Sequence, residues 1–168
     1  MSQKLTSVKT FDIYKGTAVV TATLPPVATT TFKYGPITVH SDTEIISATL
    51  KYYVKPDSFP TAAGFVVDLN GVRVAEETWS VFTGANSRTN SFPVNLQVGD
   101  NYFEITWSIV YVLPGWTTHF DTKVTLEVEY SGSSPETPTE VFTKYITYGF
   151  IILGVAAVAV IALKVVRR

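Results

Sequence analysis

The stretch GFVVDLNGVRVA, residues 64–75, decides the fold because it encodes two strands and the turn that joins them. Its two apolar runs, Phe65–Leu69 and Val72–Ala75, are rich in residue types that favour strands. Between them stands Asn70-Gly71, a pair typical of the type I′ turn, whose two central residues both need positive φ. The sequence therefore predicts an antiparallel hairpin at this point.

Strand patterns continue on both sides of this hairpin, and no segment before residue 140 has the pattern of a helix of normal length. In the clearest strand, residues 44–54, alternate side chains from Ile46 to Val54 share one face. Residues 80–91 are rich in turn formers and are predicted as a loop. About eight strands at this density predict a single antiparallel β-sandwich of the jelly-roll type. The remaining predicted strands are residues 6–14, 17–24, 37–40, 93–96, 102–112 and 120–130.

A second feature, YITYGFIILGVAAVAVIAL at Tyr145–Leu163, is uncharged and apolar on all faces. As a helix, about 19 residues would span about 28 Å, close to the hydrocarbon thickness of a bilayer. Lys144 and Lys164 bracket the run, where long cationic side chains reach the lipid head groups. The alternative is a buried core helix, but the run lies beyond a linker and has no polar face. The predicted membrane anchor comprises Tyr145, Tyr148, Phe150, Ile151, Ile152, Leu153, Val155, Val158, Val160, Ile161 and Leu163.

These features divide the chain into three predicted parts. Residues 1–130 form the β-sandwich domain, and residues 131–140 (SGSSPETPTE) form a flexible linker without an apolar residue. Residues 141–168 form one transmembrane helix with a basic tip.

Charge is distributed unevenly between these parts. Residues 1–140 hold nine Lys or Arg and fourteen Asp or Glu, a net charge of −5, whereas residues 141–168 have a net charge of +4. The domain is therefore not a general nucleic-acid binder, which would need a basic face. Only the tip, with Lys164, Arg167 and Arg168, is expected to contact acidic lipid head groups or a polyanion such as nucleic acid, and any contact with nucleic acid is weak.

The residues that usually carry catalysis or bind metals are sparse. The chain has no cysteine, and its only histidines are His40 and His119. His119 has Asp121 nearby in sequence, but that spacing only places both side chains on one face of a strand. The Asp and Glu residues near predicted turns lack the spacing of a calcium loop. We therefore expect no enzyme activity, no cofactor, no metal site and no small-molecule substrate.

The three tryptophans are the remaining candidates for a contact site. Trp107 follows the alternating pattern of its strand and is expected in the core. Trp116 follows Pro114-Gly115 and is expected to be exposed, as a candidate contact for a protein partner or a sugar.

Two turn patterns resemble those of galactose-binding-like jelly rolls. Residues 64–75 end a strand in an "LNG" hairpin, and residues 94–105 (VNLQVGDNYFEI) have the turn that begins a long strand in those domains. The resemblance covers about a third of the chain. It implies a jelly-roll topology and does not by itself imply sugar binding.

Membrane topology raises a conflict. A basic tip should stay on the cytoplasmic side, which places the β domain outside. A domain of this size needs an export signal to reach the outside, but the amino-terminal residues lack the apolar region of such a signal. A virus with an internal membrane removes this conflict, because its capsid proteins assemble in the cytosol on the outer face of the viral bilayer. The architecture resembles membrane-anchored jelly-roll structural proteins, of the minor capsid or penton type, from such icosahedral viruses, including turreted viruses of thermophilic archaea.

This resemblance implies a virion protein that tethers the capsid shell to the internal membrane. Its domain would lie on the outer face of that membrane, and its partners would be the lipid bilayer and other capsid proteins in an oligomeric assembly. Two alternatives remain open. One is a membrane-anchored cell-surface module for adhesion or carbohydrate binding, and the other is a tail-anchored accessory subunit of a membrane complex.

Overall fold

The computed structural model describes residues 5–23, 27–111, 114–141 and 143. The described residues up to 131 form eight β-strands, as the alternating patterns predict. Among the later described residues, 138–141 and 143 are helical. The strands are β1 (Ser7–Thr21), β2 (Val27–Val39), β3 (Glu44–Pro56), β4 (Ala62–Leu69), β5 (Val72–Ser80), β6 (Arg88–Pro93), β7 (Gly99–Val110) and β8 (Thr117–Ser131).

The strands build two antiparallel sheets of four strands each. The first sheet has the order β1-β8-β3-β6, and the second has the order β2-β7-β4-β5. Consecutive strands thus alternate between sheets except at the β4–β5 hairpin, which gives the double Greek key of a jelly roll. The predicted all-β, eight-stranded sandwich is confirmed.

The core lies between the two sheets and is built from the inward-facing residues of each strand. Phe65 and Trp107 are almost fully buried and contact each other, with ring centroids 6.2 Å apart. The indole of Trp107 donates a hydrogen bond to the Thr122 hydroxyl at 3.0 Å, so its polar atom is satisfied. Burying each such side chain stabilises the fold by about 2–3 kcal/mol. The expected core position of Trp107 is therefore observed.

The predicted β4–β5 hairpin is present. Asn70 and Gly71 have φ values of 52° and 77°, as a type I′ turn requires. The Asn70 side chain also bonds to the neighbouring turn, where its amide donates to Asn101 at 3.1 Å.

Asn101 stabilises the turn in the second pattern, residues 94–105. Its side chain is fully buried and accepts a hydrogen bond from the Gln97 backbone at 3.0 Å. Its amide donates to the carbonyls of Gln97, Gly99 and Ile37. One carboxamide thus supplies hydrogen-bond partners for several backbone groups of the β6–β7 turn.

Several strand predictions were wrong in extent. The two strands predicted at residues 6–14 and 17–24 correspond to one strand, β1 (Ser7–Thr21), which continues through Gly16. Residues 27–36 were not predicted as strand but belong to β2, whose register shifts between Tyr34 and Ile37. Pro36 is tolerated there because β2 lies at the edge of its sheet.

Two further predictions need correction. Residues 88–91 were predicted as loop but form most of β6, and residues 94–96 were predicted as strand but follow its end. Ile46 is half-exposed rather than aligned with Ala48 and Leu50, because the register of β3 shifts between Ile45 and Ser47.

Candidate functional site

The C-terminal end of the sandwich continues into a segment that we call the stem, residues 131–135. Ser131 is the last residue of β8, and the chain divides into separate units after Pro135. The Ser133 hydroxyl donates to the Asp42 carboxylate at 2.5 Å. Farther along, the Lys9 ammonium donates to the Pro135 carbonyl at 2.7 Å. The stem is therefore hydrogen-bonded to β1 and to the β2–β3 turn.

Gly132 brings the stem close to that turn. Its φ of +90° lies in the region that favours glycine, and a Cβ there would overlap the carbonyl oxygen of Asp42. The Ser133 hydroxyl bond lowers the pKa of Asp42. Thr43 adds a further bond, from its hydroxyl to the Ser133 carbonyl at 2.8 Å. These contacts extend the sandwich past the predicted boundary at residue 130, whereas flexibility of the remaining linker residues stays a prediction.

A helix start follows the stem. The Glu140 carboxylate accepts hydrogen bonds from the Thr137 backbone N–H at 2.7 Å and from the Thr137 hydroxyl at 3.0 Å. Pro138 occupies the first helical position, where its missing N–H is no loss. Val141 donates to the Thr137 carbonyl at 3.1 Å. This is the glutamate half of a capping box, in which the Glu140 side chain satisfies the Thr137 backbone donor at a helix start. This cap was not predicted, because residues 131–140 were assigned to a flexible linker.

The predicted membrane anchor and the basic tip lie outside the described residues. Among the residues that are described, none belongs to a helix with the length and apolar character needed to cross a bilayer. The anchor residues, Tyr145, Tyr148, Phe150, Ile151, Ile152, Leu153, Val155, Val158, Val160, Ile161 and Leu163, therefore stay a prediction, as do the contacts of Lys164, Arg167 and Arg168.

The opposite end of the sandwich carries exposed aromatic side chains. We call it the loop end, and its described loops are residues 22–23, 57–61, 81–87 and 114–116. Trp116 is 42% exposed, as predicted from its position after Pro114-Gly115. Phe82 is 96% exposed and Val81 59%, and the sequence analysis missed both. Their only sequence signal is an apolar pair at the start of a turn-rich loop, VFTGANS.

Asp57 is the only charged residue in these described loops, and it has a partner. Its carboxylate lies 3.0 Å from His119 Nδ1 and accepts the His119 backbone N–H at 2.9 Å. Partial burial opposes ionisation, but these bonds and one from the Ser58 backbone outweigh it and lower the pKa of Asp57. The predicted neighbour of His119 was Asp121, whereas the structure pairs it with Asp57. The pair joins the β3–β4 loop to β8.

Only one of the three tryptophans lies at the surface. Trp79 is buried, and its indole donates to the Asn86 carbonyl at 2.6 Å, which holds the β5–β6 loop. Trp107 is in the core, so Trp116 alone is available at the surface.

A polar link joins the sheets at the β5 and β6 edges. Tyr52 of β3 donates a short hydrogen bond to Glu77 of β5, and Arg88 of β6 lies 3.8 Å from the same carboxylate. Burial and the Glu77 carboxylate together raise the pKa of Tyr52. This arrangement stabilises the sandwich edge. Within the described ranges, no three His, Asp or Glu side chains converge to hold a metal ion.

No protein-family model matches the chain, and no curated protein matches it. Among solved structures, dimeric latent PorU from Porphyromonas gingivalis is 14% identical, with a TM-score of 0.37 over 73% of this chain and 13% of PorU. The CBM36-1 domain of a multidomain xylanase from the hindgut metagenome of Trinervitermes trinervoides is 9% identical, with a TM-score of 0.38 over 76% of this chain and 99% of that domain.

A viral particle protein is also among the matches. The protein of T=1 particles derived from infectious bursal virus is 10% identical, with a TM-score of 0.44 over 79% of this chain and 37% of that protein. The chain thus spans 13% of PorU and 37% of the viral protein. The jelly-roll assignment itself rests on the strand order of the two sheets.

Proposed function

We propose that this chain is a non-enzymatic structural protein of a virion, which tethers the capsid shell to an internal lipid membrane. The jelly-roll domain lies on the outer face of that membrane, and residues 145–163 cross the bilayer once as a helix. The observation that carries the proposal is the capped helix start at Thr137, which precedes an uncharged run of 19 residues, 145–163.

The stem supports this arrangement. A tether fixes the distance between a domain and a membrane only if the chain is held where it leaves the domain. The hydrogen bonds of Ser133 and Pro135 hold it there. The Glu140 cap at Thr137 then favours a helix from Pro138 onward. Only residues 136–144 separate the stem from the predicted anchor, so the segment that joins the domain to the membrane is short.

The loop end supports contacts with other capsid proteins. Protein interfaces are enriched in aromatic residues and depleted in charge at their centre. Phe82 and Trp116 are exposed there, and the one charged side chain of the described loops, Asp57, is paired with His119. In an acidic domain, this end can approach a second acidic protein without bringing like charges together.

The basic tip is assigned to the inner side of the viral membrane. There Lys164, Arg167 and Arg168 contact acidic head groups or the packaged genome. Each cation contributes about 1 kcal/mol to binding at such a surface.

Membrane flotation tests the anchor. We expect the full chain to float with neutral lipid vesicles in a density gradient, and a chain that ends at Pro135 to stay at the bottom. Val155→Lys places a charge near the middle of the apolar run and costs about 3 kcal/mol of insertion free energy. Val81→Lys makes the same change at the exposed loop end and should float normally. Equal behaviour of the full and shortened chains would overturn the anchor.

Fractionation of virus particles tests the virion assignment. In purified particles that contain lipid, mild detergent should release this protein together with the lipid. Its recovery in a lipid-free protein shell would contradict the tether, and its absence from all particles would contradict the virion assignment.

A cell-surface carbohydrate-binding module is the second candidate, favoured by the exposure of Trp116. It predicts that protease added to intact cells digests the β domain, and that Trp116→Ala abolishes glycan binding. The tether predicts neither result.

A further inference from the structure

A continuous row of side chains crosses the outer face of the first sheet. The strand register places Lys15 of β1 across from Lys123 of β8, and Lys123 across from Tyr53 of β3. Tyr53 in turn lies across from Thr89 of β6. Opposite side chains in antiparallel strands have their Cβ atoms about 5 Å apart. The row therefore runs from one edge of the sheet to the other.

This row places two positive charges side by side. Like charges directly opposite each other destabilise an antiparallel pair. The neighbouring Lys51 is neutralised by Glu127, at 2.8 Å. In the described part of the chain, by contrast, neither Lys15 nor Lys123 forms an ion pair. Two cations without an ion-pair partner can therefore bind an anion at this point of an otherwise acidic domain.

A groove lies beside Lys123, which lines it, whereas Lys15 lies across from Lys123 on β1 and is not part of the lining. The groove has a volume of about 600 Å³, within the range of ligand sites, and it is open to solvent along the sheet. The half-buried ring of Tyr53 forms part of its wall. Hydroxyl and amide groups from Thr89, Asn90, Ser91 and Thr125 line most of the rest, together with Lys51 and Tyr52.

This combination has the chemistry of a carbohydrate site. An aromatic ring packs against the C–H face of a sugar, and hydroxyl and amide groups exchange hydrogen bonds with its hydroxyls. A lysine ammonium adds a charge-assisted bond to a carboxylate. Asp12, Asp121 and Glu127 on the same face repel dense polyanions, which favours a ligand with isolated charges.

We propose that this groove binds a short oligosaccharide that carries carboxylate groups. Lys123 binds the carboxylate, Lys15 adds positive charge from the adjacent strand, and Tyr53 packs against a sugar ring. The site shares no residue with the loop around Trp116 or with the predicted membrane anchor, so its existence does not depend on the proposed tether.

Isothermal titration of the full chain with trigalacturonic acid tests the site, in a zwitterionic detergent whose head group is not a sugar. We expect saturable binding that Lys123→Ala weakens about fivefold, a typical loss for one exposed charge contact. Tyr53→Ala should abolish binding, and Tyr53→Phe, which keeps the ring, should preserve it. Lys33→Ala is the matched control, because Lys33 lies on the second sheet in an ion pair with Glu104.

Several results would overturn the site. These are the absence of trigalacturonic acid binding, equal weakening by Lys33→Ala and Lys123→Ala, and equally tight binding of neutral maltotriose. Competition by inorganic phosphate at the concentration of the sugar would also overturn it, since it would reveal a simple anion contact. Flotation of the chain is expected to be unchanged in every one of these variants.

Discussion

Replacing Gly132 with alanine should detach the stem from the sandwich. The new Cβ would overlap the Asp42 carbonyl, and a backbone oxygen in a turn cannot move aside as a flexible side chain can. Release of the stem removes the hydrogen bonds of Ser133, Thr43 and Lys9. At about 1 kcal/mol for each bond, the free energy of unfolding should fall by about 2–3 kcal/mol. The melting temperature should fall by about 10 °C.

Gly115→Ala is the matched control. Gly115 has a φ of +93°, close to the +90° of Gly132, but nothing lies within 4 Å of its added Cβ. Gly115→Ala therefore costs only the backbone strain of an alanine in the left-handed region, about 1–2 kcal/mol. Thermal unfolding measures both costs, and amide hydrogen exchange at residues 131–136 reports release of the stem. Equal losses of stability, with the stem still protected in Gly132→Ala, would refute a stem held by this contact.

Three further predictions concern the core, the loop end and the helix start. Phe65→Ala should lower the free energy of unfolding by about 3–5 kcal/mol, because Phe65 is fully buried against Tyr52 and Trp107; a urea-unfolding loss below about 1 kcal/mol would count against this packing. Asp57 has a lowered pKa when folded, so its contribution to stability is complete above about pH 4 and is lost as pH falls through the folded value. Asp57→Asn should therefore flatten the acid limb of a melting-temperature profile, and an unchanged limb would show that the His119 contact does not form. Thr137→Ala should destabilise the helix start by about 1 kcal/mol, seen as smaller helical Cα shifts at residues 138–143, whereas Thr139→Ala should leave the cap intact.

The sandwich could be predicted because its sequence signals are local. Alternation of apolar and polar residues located most strands, and Asn70-Gly71 specified a turn whose observed φ values are positive. The fold class followed from strand density alone.

Errors arose where tertiary structure overrode a local signal. Pro36 normally ends a strand, but β2 lies at a sheet edge that does not need every backbone donor. Ile46 fits the alternation of β3, but a register shift turns it outward. Neither effect can be inferred before the neighbouring strand is known.

The candidate sites were only partly visible in the sequence. The exposure of Trp116 was predicted from the adjacent Pro-Gly turn. The exposure of Phe82 was not predicted, because the turn formers around it only indicated a loop. The pairing of Lys15 with Lys123 joins residues more than 100 positions apart, and only the strand register reveals it. The Gly132 contact with Asp42 was hidden for the same reason.

Spin labels at single introduced cysteines give the most direct test of where the chain meets lipid. The natural chain has no cysteine, so a label at Val158 and another at Phe82 can each be placed without side reactions. In vesicles, the label at Val158 should be reached by oxygen and shielded from a water-soluble nickel chelate, and the label at Phe82 should behave in the opposite way. A label at Val158 that the nickel chelate reaches as readily as Phe82 would show that the apolar run is not in the bilayer.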